Sequence, residues 1–385
     1  MYDDFIDFVR KLYNTEDPVP LHAPRFFGNE KKYIAQAIDS TFVSSVGEFV
    51  DRFERRFADY VGSRFAIATG NGTAALHIAL KLAGVGPGDE VITQPLTFVA
   101  TCNAIVYCGA MPVFVDVDPQ TMGISAEKLE EFLIKHAGIN SDGQCVNKTS
   151  RRPIKACVPM HTFGHPTDIG QITAVCRKYN MAVIEDAAEA LGSFVGSRHV
   201  GTFGKLSVFS FNGNKIITTG GGGMIATDDE ALALRAKHLT TTAKLPHKWE
   251  YSHDEIGYNY RLPNLNAALG CAQLEQLPGM LKNKRVVAQK YQDFFSGYDG
   301  VDFVAEKEGN RSNYWLNVVI LSNKRSQKAF LEATNEAGVI TRPAWVLMTD
   351  LPMFEKCQRG NLENCSWLGN RIVNIPSSAV RENIA

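Results

Sequence analysis

Short apolar runs alternate with helical patterns between about residues 50 and 240. Such runs predict buried strands when turn-forming residues bound them. The predicted strands cover residues 65–69, 90–93, 112–116, 153–160, 181–184, 206–211 and 224–227, and predicted helices cover 73–82 and 98–107. Strands that alternate with helices at this spacing are typical of a largely parallel sheet covered on both faces. We therefore predict an α/β fold.

The pattern changes in two places. A polar stretch at residues 140–152 predicts an exposed loop, and beyond residue 250 a helix rich in Ala and Leu, predicted over 264–276, precedes a less regular portion. A chain of 385 residues is long enough for two cores. The predicted parts are an N-terminal segment (1–30) that packs near the small domain, a large domain (31–250) and a small C-terminal α+β domain (251–385).

Composition and charge narrow the class of protein by exclusion. Hydrophobic residues make up 45% and charged residues 21%, which is typical of a globular protein in water. Lys plus Arg is 40 and Asp plus Glu is 41, so no basic surplus favours nucleic acid or a membrane. No apolar run approaches the ~20 residues of a membrane span, and the start lacks the apolar core of a signal peptide. The eight cysteines contain no C-x-x-C pair. We expect a cytoplasmic protein with reduced thiols and no metal site.

Glycines cluster after two predicted strands. Residues 70–75, Gly-Asn-Gly-Thr-Ala-Ala, match the G-x-G-x-x-A of a dinucleotide-binding fold. That fold also needs an acidic residue at the carboxyl end of the next strand, whereas Asp89 precedes that strand. Gly72 and Thr73 instead begin a helix, whose free N–H groups favour a phosphate site and a plain N-cap about equally. The glycines at 220–223 indicate a sharp turn, a close backbone approach or a flexible loop.

Two charged residues follow predicted strands at the ligand-binding edge of the sheet. Asp186 lies just after the strand at 181–184, and a carboxylate there can hold a pyridinium nitrogen protonated. Lys215 follows the strand at 206–211, where its amine can serve as a Schiff-base amine. Either residue alone is more typical of a solvated surface. A phosphate site, an acid and a lysine in this order favour a site for pyridoxal phosphate.

Motifs spread along nearly the whole chain resemble the nucleotide-sugar aminotransferases of the DegT type, a branch of the fold type I pyridoxal-phosphate enzymes. The motifs are Ser-Val-Gly (45–47) with Phe-Glu (53–54), Asn-Gly-Thr-Ala-Ala-Leu (71–76), Gly-Asp-Glu-Val (88–91), Thr-Phe (97–98), Val-Asp (115–116), His-Thr-Phe-Gly (161–164), Glu-Asp-Ala-Ala (185–188), Ser-Phe (210–211) with Lys215, and Gly-Tyr-Asn-Tyr-Arg (257–261). The resemblance implies a large domain with a mostly parallel sheet flanked by helices, a smaller C-terminal domain, and pyridoxal 5′-phosphate as the cofactor.

The resemblance also implies roles for individual residues. Lys215 would form the Schiff base and move a proton, and Asp186 would pair with the pyridine nitrogen. Glu189 lies near the ring hydroxyl where the family usually has Gln, and a carboxylate only accepts hydrogen bonds unless it is protonated. The other implied cofactor contacts are Gly72, Thr73 and Ser210 at the phosphate, Phe98 on the ring face, and Asn259 at the phosphate of the partner subunit. The last contact implies a homodimer with shared sites.

Several residues are candidates for substrate contacts. Guanidinium groups suit phosphate geometry, so Arg25, Arg261 and Arg342 are candidates for the nucleotide, although surface salt bridges are an equal alternative. His161 is expected near the cofactor, with a packed structural histidine as the alternative. Tyr314, together with its neighbour Trp315, is expected to line the sugar pocket, with packing of the small domain as the alternative.

Three longer segments point to a substrate by resemblance. Residues 20–30, 40–47 and 210–220 are similar to aminotransferases of the legionaminic-acid and bacillosamine pathways. Those enzymes transfer an amino group from L-glutamate to C4 of a nucleotide-linked 2-acetamido-4-keto-2,6-dideoxy hexose, with UDP or GDP as the carrier, for surface glycans. Another keto sugar, of the perosamine type or with a 3-keto group, is the near alternative. A sugar dehydratase is disfavoured because that sister branch has His in place of Lys215, and a catalytically silent binding protein is disfavoured by the complete residue set.

Overall fold

The main sheet of the computed structural model, which describes residues 1–380, has seven strands. In chain order they are β1 (Phe65–Thr69), β2 (Glu90–Thr93), β3 (Met111–Phe114), β4 (Ile154–Val158), β5 (Ala182–Asp186), β6 (Leu206–Ser210) and β7 (Gly223–Thr227). Their order across the sheet is β1-β7-β6-β5-β4-β2-β3. Only β7 runs antiparallel to its neighbours, β1 and β6; the other pairs are parallel. The predicted α/β fold with a largely parallel sheet is confirmed.

Helices cover both faces of this sheet. The helices of the described residues, including those of the small domain, are α1 (Tyr2–Tyr13), α2 (Glu30–Asp39), α3 (Glu48–Val61), α4 (Gly72–Leu82), α5 (Val99–Tyr107), α6 (Ala126–His136), α7 (Ile169–Lys178), α8 (Glu230–Thr240), α9 (Asn264–Phe295), α10 (Lys324–Glu336) and α11 (Glu363–Gly369). Successive side chains of a strand point to opposite faces. Ile67 of β1 therefore packs in a core with α4, α5 and α8, whereas Ala66 and Ala68 pack in a core with α3 and α9.

The small domain is built on a second, antiparallel sheet. Its strands are β8 (Val301–Phe303), β9 (Asn317–Leu321), β10 (Arg342–Pro343) and β11 (Ile372–Ile375), in the order β8-β9-β11-β10. The N-terminal helix α1 packs here, because Phe5 and Val9 share a core with Val319, Phe330 and Val373. The segment before residue 20 is thus part of the small-domain core.

Helix α9 joins the two cores. It runs for 32 residues, well beyond the predicted end at residue 276, and continues through Pro278. Ala268 and Leu277 pack in the large-domain core, whereas Tyr291 and Phe295 pack in the small-domain core. The predicted domain boundary at residue 250 stays a prediction. The helix that follows it carries buried side chains on both sides of Pro278 and so connects the two cores.

The predicted loop at residues 140–152 is partly ordered. Ala137–Ile139 pairs with Cys145–Asn147 in a two-stranded hairpin. Asn147 is buried and donates hydrogen bonds of 2.6 Å from Nδ2 to Glu90 Oε2 and to Gln358 Oε1. The expectation of a wholly exposed loop is wrong at this residue, because its amide ties the hairpin to β2. No helix in residues 1–380 combines the length and apolar composition needed to cross a membrane.

Candidate active site

A cleft of about 310 Å³ opens at the carboxyl ends of β5 and β6. Ligands bind at this edge in open α/β sheets. The cleft brings together seven of the predicted cofactor residues, namely Gly72, Thr73, Phe98, Asp186, Glu189, Ser210 and Lys215. Segments that are up to 143 residues apart in the sequence, from Gly72 to Lys215, therefore meet at one place, as the order of motifs predicted.

One wall of the cleft is the first turn of α4. Asn71 caps the helix by accepting a hydrogen bond of 2.8 Å from the Ala74 N–H at Oδ1. The backbone N–H groups of Gly72 and Thr73 donate to no group within residues 1–380, as expected at a helix start. A Cβ added to Gly72 would lie 3.0 Å from Cβ of Ser210, so glycine lets the helix approach β6 closely. Two free N–H groups, two hydroxyls and the positive helix end form a fitting cradle for a phosphate.

The glycines at 220–223 lie next to the first turn of α4, on the same wall of the cleft. Gly220 has φ of +80°, which favours glycine in a turn. A Cβ on Gly223 would lie 2.5 Å from the carbonyl carbon of Asn71, so β7 passes close to the start of α4. Gly221 and Gly222 line the cleft itself. Of the alternatives from the sequence, the sharp turn and the close backbone approach are both found.

Asp186 ends β5 with its carboxylate buried in the cleft. Oδ2 accepts a hydrogen bond of 2.7 Å from the Thr101 hydroxyl, and Oδ1 accepts one of 3.2 Å from the Ala188 N–H. Burial raises the pKa of Asp186, while these two donors and the charge of Lys215 act in the opposite direction. A cationic group in the cleft would favour the charged carboxylate further.

Lys215 lies across the cleft in a turn after β6. Its backbone N–H donates to the carbonyl of Asn212 at 2.9 Å. The amine Nζ is 3.2 Å from Glu189 Oε1 and 4.0 Å from the centroid of the Trp315 ring. Trp315 is itself fixed, because its Nε1 donates to the carbonyl of Asn214 at 2.7 Å. The amine is thus held between a carboxylate and an aromatic face.

Aromatic rings cover the mouth of the cleft. Phe98 precedes α5 and is half exposed, and its ring centroid is 6.2 Å from that of Trp345. Trp345 in turn lies 4.9 Å from Phe163, which is fully buried. These rings provide an apolar surface on which a flat ring can stack.

His161 is not in the cleft, and the expectation of a substrate contact is wrong. Its Nδ1 accepts a hydrogen bond of 3.2 Å from the Thr167 N–H, so the proton resides on Nε2, which donates to Glu185 Oε2 at 3.1 Å. Strand alternation explains this position, since Glu185 points to the face opposite Asp186. Burial would raise the pKa of Glu185, but the His161 donor and two backbone N–H groups lower it. His161 is therefore the packed structural histidine that was the alternative.

Tyr314 also lies outside the cleft, which contradicts its expected place in the sugar pocket. Its ring is buried against His165 and Phe303, and its hydroxyl accepts a hydrogen bond of 3.1 Å from the Glu306 N–H. Tyr314 has φ of +48°, and this left-handed turn sends Trp315 to the cleft side. Core packing, the alternative, holds for Tyr314, and Trp315 lines the cleft.

The three arginines and Asn259 do not line the cleft of a single chain. Arg25 Nε donates to the carbonyl of Ala379 at 2.9 Å, and Arg342 donates to the Asn335 side chain at 2.9 Å. Arg261 folds back on Asn259, with Nε 3.1 Å and Nη2 3.0 Å from Oδ1. Their roles toward a nucleotide, and that of Asn259 toward a partner subunit, stay predictions.

Thr101 and Trp345 are among the cleft residues that sequence reasoning missed. Thr101 is three residues beyond Phe98 and therefore on the same side of the start of α5, a spacing that could have identified it. Trp345 lies in the small domain, and no local pattern distinguishes it from a core residue.

The fold and the cleft define a fold type I pyridoxal-phosphate enzyme. The buried carboxylate, the amine and the phosphate cradle suit the pyridine nitrogen, the aldehyde and the phosphate of that cofactor, respectively. The model of the DegT/DnrJ/EryC1/StrS aminotransferase family matches residues 26–382, and the chain belongs to this family. It is a pyridoxal-phosphate-dependent sugar aminotransferase, as the sequence predicted.

Known proteins are similar to this chain over most of their length. GDP-perosamine synthase of Escherichia coli O157:H7 is 37% identical over 361 residues, which covers 93% of this chain and 94% of that protein. The putative pyridoxal phosphate-dependent aminotransferase EpsN of Bacillus subtilis (strain 168) is 38% identical over 335 residues, covering 87% and 83%. The crystal structure of the aminotransferase TlmJ from Streptoalloteichus hindustanus has a TM-score of 0.84 at 27% identity and covers 94% of this chain and 93% of that one.

Proposed function

We propose that the enzyme transfers an amino group from L-glutamate to C4 of a nucleotide-linked 2-acetamido-4-keto-2,6-dideoxy hexose. The observation that carries the chemistry is the position of Lys215 Nζ, which shares one cleft with Asp186 and the start of α4. The substrate assignment draws on the segments at 20–30, 40–47 and 210–220, which resemble the legionaminic-acid and bacillosamine enzymes. The product is a 4-amino sugar for a surface glycan.

Each cleft residue has a defined task in this proposal. Pyridoxal phosphate supplies an electron sink and carries the amino group between the two substrates. With the cofactor bound, Asp186 would keep the pyridine nitrogen protonated, and Phe98 would pack on the ring. Glu189 would be the residue at the ring hydroxyl. Gly72, Thr73 and Ser210 would hold the phosphate.

Lys215 performs the proton transfers. Its neutral Nζ takes a proton from the α-carbon of glutamate, and in the second half of the reaction a proton is delivered to C4 of the sugar. The ring of Trp315 and the carboxylate of Glu189 limit where the amine can swing. A lysine able to return the proton to carbon supports amination over dehydration.

A perosamine-type substrate is the second candidate. The relatives named GDP-perosamine synthase, from Escherichia coli O157:H7 and Caulobacter vibrioides, are each 37% identical to this chain. The chemistry at C4 is the same for both candidates. They differ in the substituent at C2.

The test is to incubate the holoenzyme with L-glutamate and each sugar separately. The substrates are the UDP- and GDP-linked 2-acetamido-4-keto-2,6-dideoxy hexose and GDP-4-keto-6-deoxymannose, and NMR identifies the aminated carbon. A 4-amino product from an N-acetylated sugar supports the proposal. Product only from GDP-4-keto-6-deoxymannose replaces it with the second candidate. No 4-amino product from any of the three refutes both assignments.

We propose, in addition, a homodimer in which Asn259 contacts the phosphate bound by the partner subunit. Support comes from three apolar side chains in the ten residues before Asn259, since Trp249, Tyr251 and Ile256 are 74%, 81% and 84% exposed. Large apolar side chains exposed to this extent favour a protein–protein contact. If sites are shared, mixing Lys215→Ala with Asn259→Asp subunits restores one intact site per mixed dimer. Activity that stays at the level of the separate variants after subunit exchange contradicts shared sites.

A further inference from the structure

We propose that Glu189 is a positioning residue for Lys215. The carboxylate of Glu189 holds the Lys215 amine as an ammonium ion, and it accepts a proton from that amine when the neutral form is needed. The proposal rests on Lys215 being the lysine that binds the cofactor. The transfer breaks one N–H bond at Nζ and forms one O–H bond at Oε1, and no other bond changes. A Gln side chain at this position could do neither, because an amide carries no charge and does not take up a proton at neutral pH.

Both carboxylate oxygens of Glu189 have a partner. Oε1 is 3.2 Å from Lys215 Nζ, and Oε2 accepts a hydrogen bond of 2.9 Å from the Phe163 N–H. The Glu189 side chain is 1% exposed and that of Lys215 is 13% exposed, so water screens the pair weakly. The Phe163 N–H fixes one oxygen, and the other therefore faces the amine.

Of the ionisable groups that the structure describes around Lys215, Glu189 is the one in direct contact with the amine. Asp186 also acts on Lys215 from the end of β5, but its oxygens accept from Thr101 and Ala188. From the N-terminal segment, the field of Lys215 reaches His22, whose pKa is lowered by burial and then by Lys284, Lys215 and Arg25. His22 is thus neutral.

Glu189 is suited to exchange a proton at neutral pH. Burial raises its pKa to about 7, with Lys215 and the Phe163 N–H acting in the opposite direction. An amine in contact with a carboxylate is favoured in its charged form, and the same amine beside an uncharged amide is not. Replacing Glu189 with Gln therefore removes the neighbouring charge that favours the ammonium form of the amine.

The test measures the reactivity of Lys215 in the cofactor-free enzyme. Pulses of formaldehyde and cyanoborohydride between about pH 6 and 10 methylate only neutral amines, and mass spectrometry of the Lys215 peptide gives the rate. At neutral pH we expect Glu189→Gln to react at least about tenfold faster, with the midpoint lowered by about one pH unit or more. Glu189→Asp keeps the charge and should stay near the wild-type profile.

A matched control is Glu130→Gln, which removes a surface carboxylate that pairs with Lys178 at 2.5 Å and should leave the Lys215 profile unchanged. If Glu189 only supports the Phe163 backbone, both Glu189 variants lower the melting temperature without moving the profile, which overturns the proposal. Equal shifts in the Gln and Asp variants overturn it too, because charge would not be the cause. No sugar or cofactor enters this assay, so a failure of the substrate assignment is distinguishable from a failure here.

Discussion

The hydroxyl of Thr101 donates a hydrogen bond of 2.7 Å to Oδ2 of Asp186, and both side chains are buried. This contact joins the first turn of α5 to the end of β5. Burial raises the pKa of Asp186, and the Thr101 hydroxyl is the strongest of the groups that lower it. Thr101 therefore helps to keep the carboxylate charged at the place where a protonated ring nitrogen is needed.

Replacing Thr101 with Val removes this donor at nearly constant volume, so the pKa of Asp186 rises further. Because a carboxylate is lost as the pH falls through its pKa, the acid limb of kcat/KM for the glutamate half-reaction should move to higher pH. Stopped-flow loss of the visible cofactor band at a series of pH values measures it. Thr173→Val, which removes a hydroxyl bonded within α7, is the control. An unmoved acid limb contradicts the role of Thr101.

Replacing Gly72 with Ala should weaken cofactor binding. The new Cβ would lie 3.0 Å from Cβ of Ser210, so the phosphate cradle has to widen. We expect the Kd for pyridoxal phosphate to rise about tenfold, equivalent to ~1.4 kcal/mol. Gly170→Ala, in α7, adds a Cβ that meets no atom within 4 Å and should leave the Kd unchanged. Titration of the cofactor-free enzyme checks both, and equal affinities of the two variants would be inconsistent with the cradle.

Replacing Lys215 with Ala should abolish turnover, because the cleft then lacks the group that moves the proton. A loss of at least about 10³-fold in kcat is expected for the removal of a general acid–base residue. Lys178→Ala, on the surface end of α7, should keep normal activity. Wild-type turnover by the Lys215 variant would show that the lysine is misassigned.

Replacing the buried Lys284 with Met should change how stability depends on pH. Lys284 Nζ donates to the carbonyl oxygens of Trp315, at 3.1 Å, and of Ser377, and burial lowers its pKa to about 7. Between this value and the ordinary 10.5, the unfolded chain binds one more proton than the folded chain, so wild-type stability rises with pH.

The Lys284→Met variant has no amine at this position, so neither its folded nor its unfolded chain binds this proton. Relative to it, the wild type should gain up to about 1.4 kcal/mol of unfolding free energy per pH unit over that interval. Urea unfolding at about pH 7, 8 and 9 tests the difference. Parallel pH profiles of the two proteins would mean that Lys284 is not the cause.

The cofactor side of the cleft could be predicted because its signals are local. Gly72, Asp186 and Lys215 each follow a strand that is visible in the pattern, and parallel strands bring their carboxyl ends to one edge. The spacing from Phe98 indicates the side of α5 on which Thr101 lies, but its hydrogen bond could not be predicted because its partner, Asp186, is 85 residues away.

The directions of side chains outside the strands were the weakest predictions. Tyr314 and Trp315 are neighbours, but Tyr314 packs in the core and Trp315 lines the cleft. The left-handed backbone conformation of Tyr314 causes this difference. His161 lies outside the strands, and its place is set by a hydrogen bond to Glu185, 24 residues away, which no local pattern indicates.

Helix α9 makes the unfolding of the two cores cooperative. Loss of order in the small sheet removes the packing of Tyr291 and Phe295, and the same helix carries Ala268 and Leu277 into the large core. A helix without its buried face is only marginally stable in water, so fraying propagates toward the main sheet. The enzyme should therefore unfold in one thermal transition rather than domain by domain.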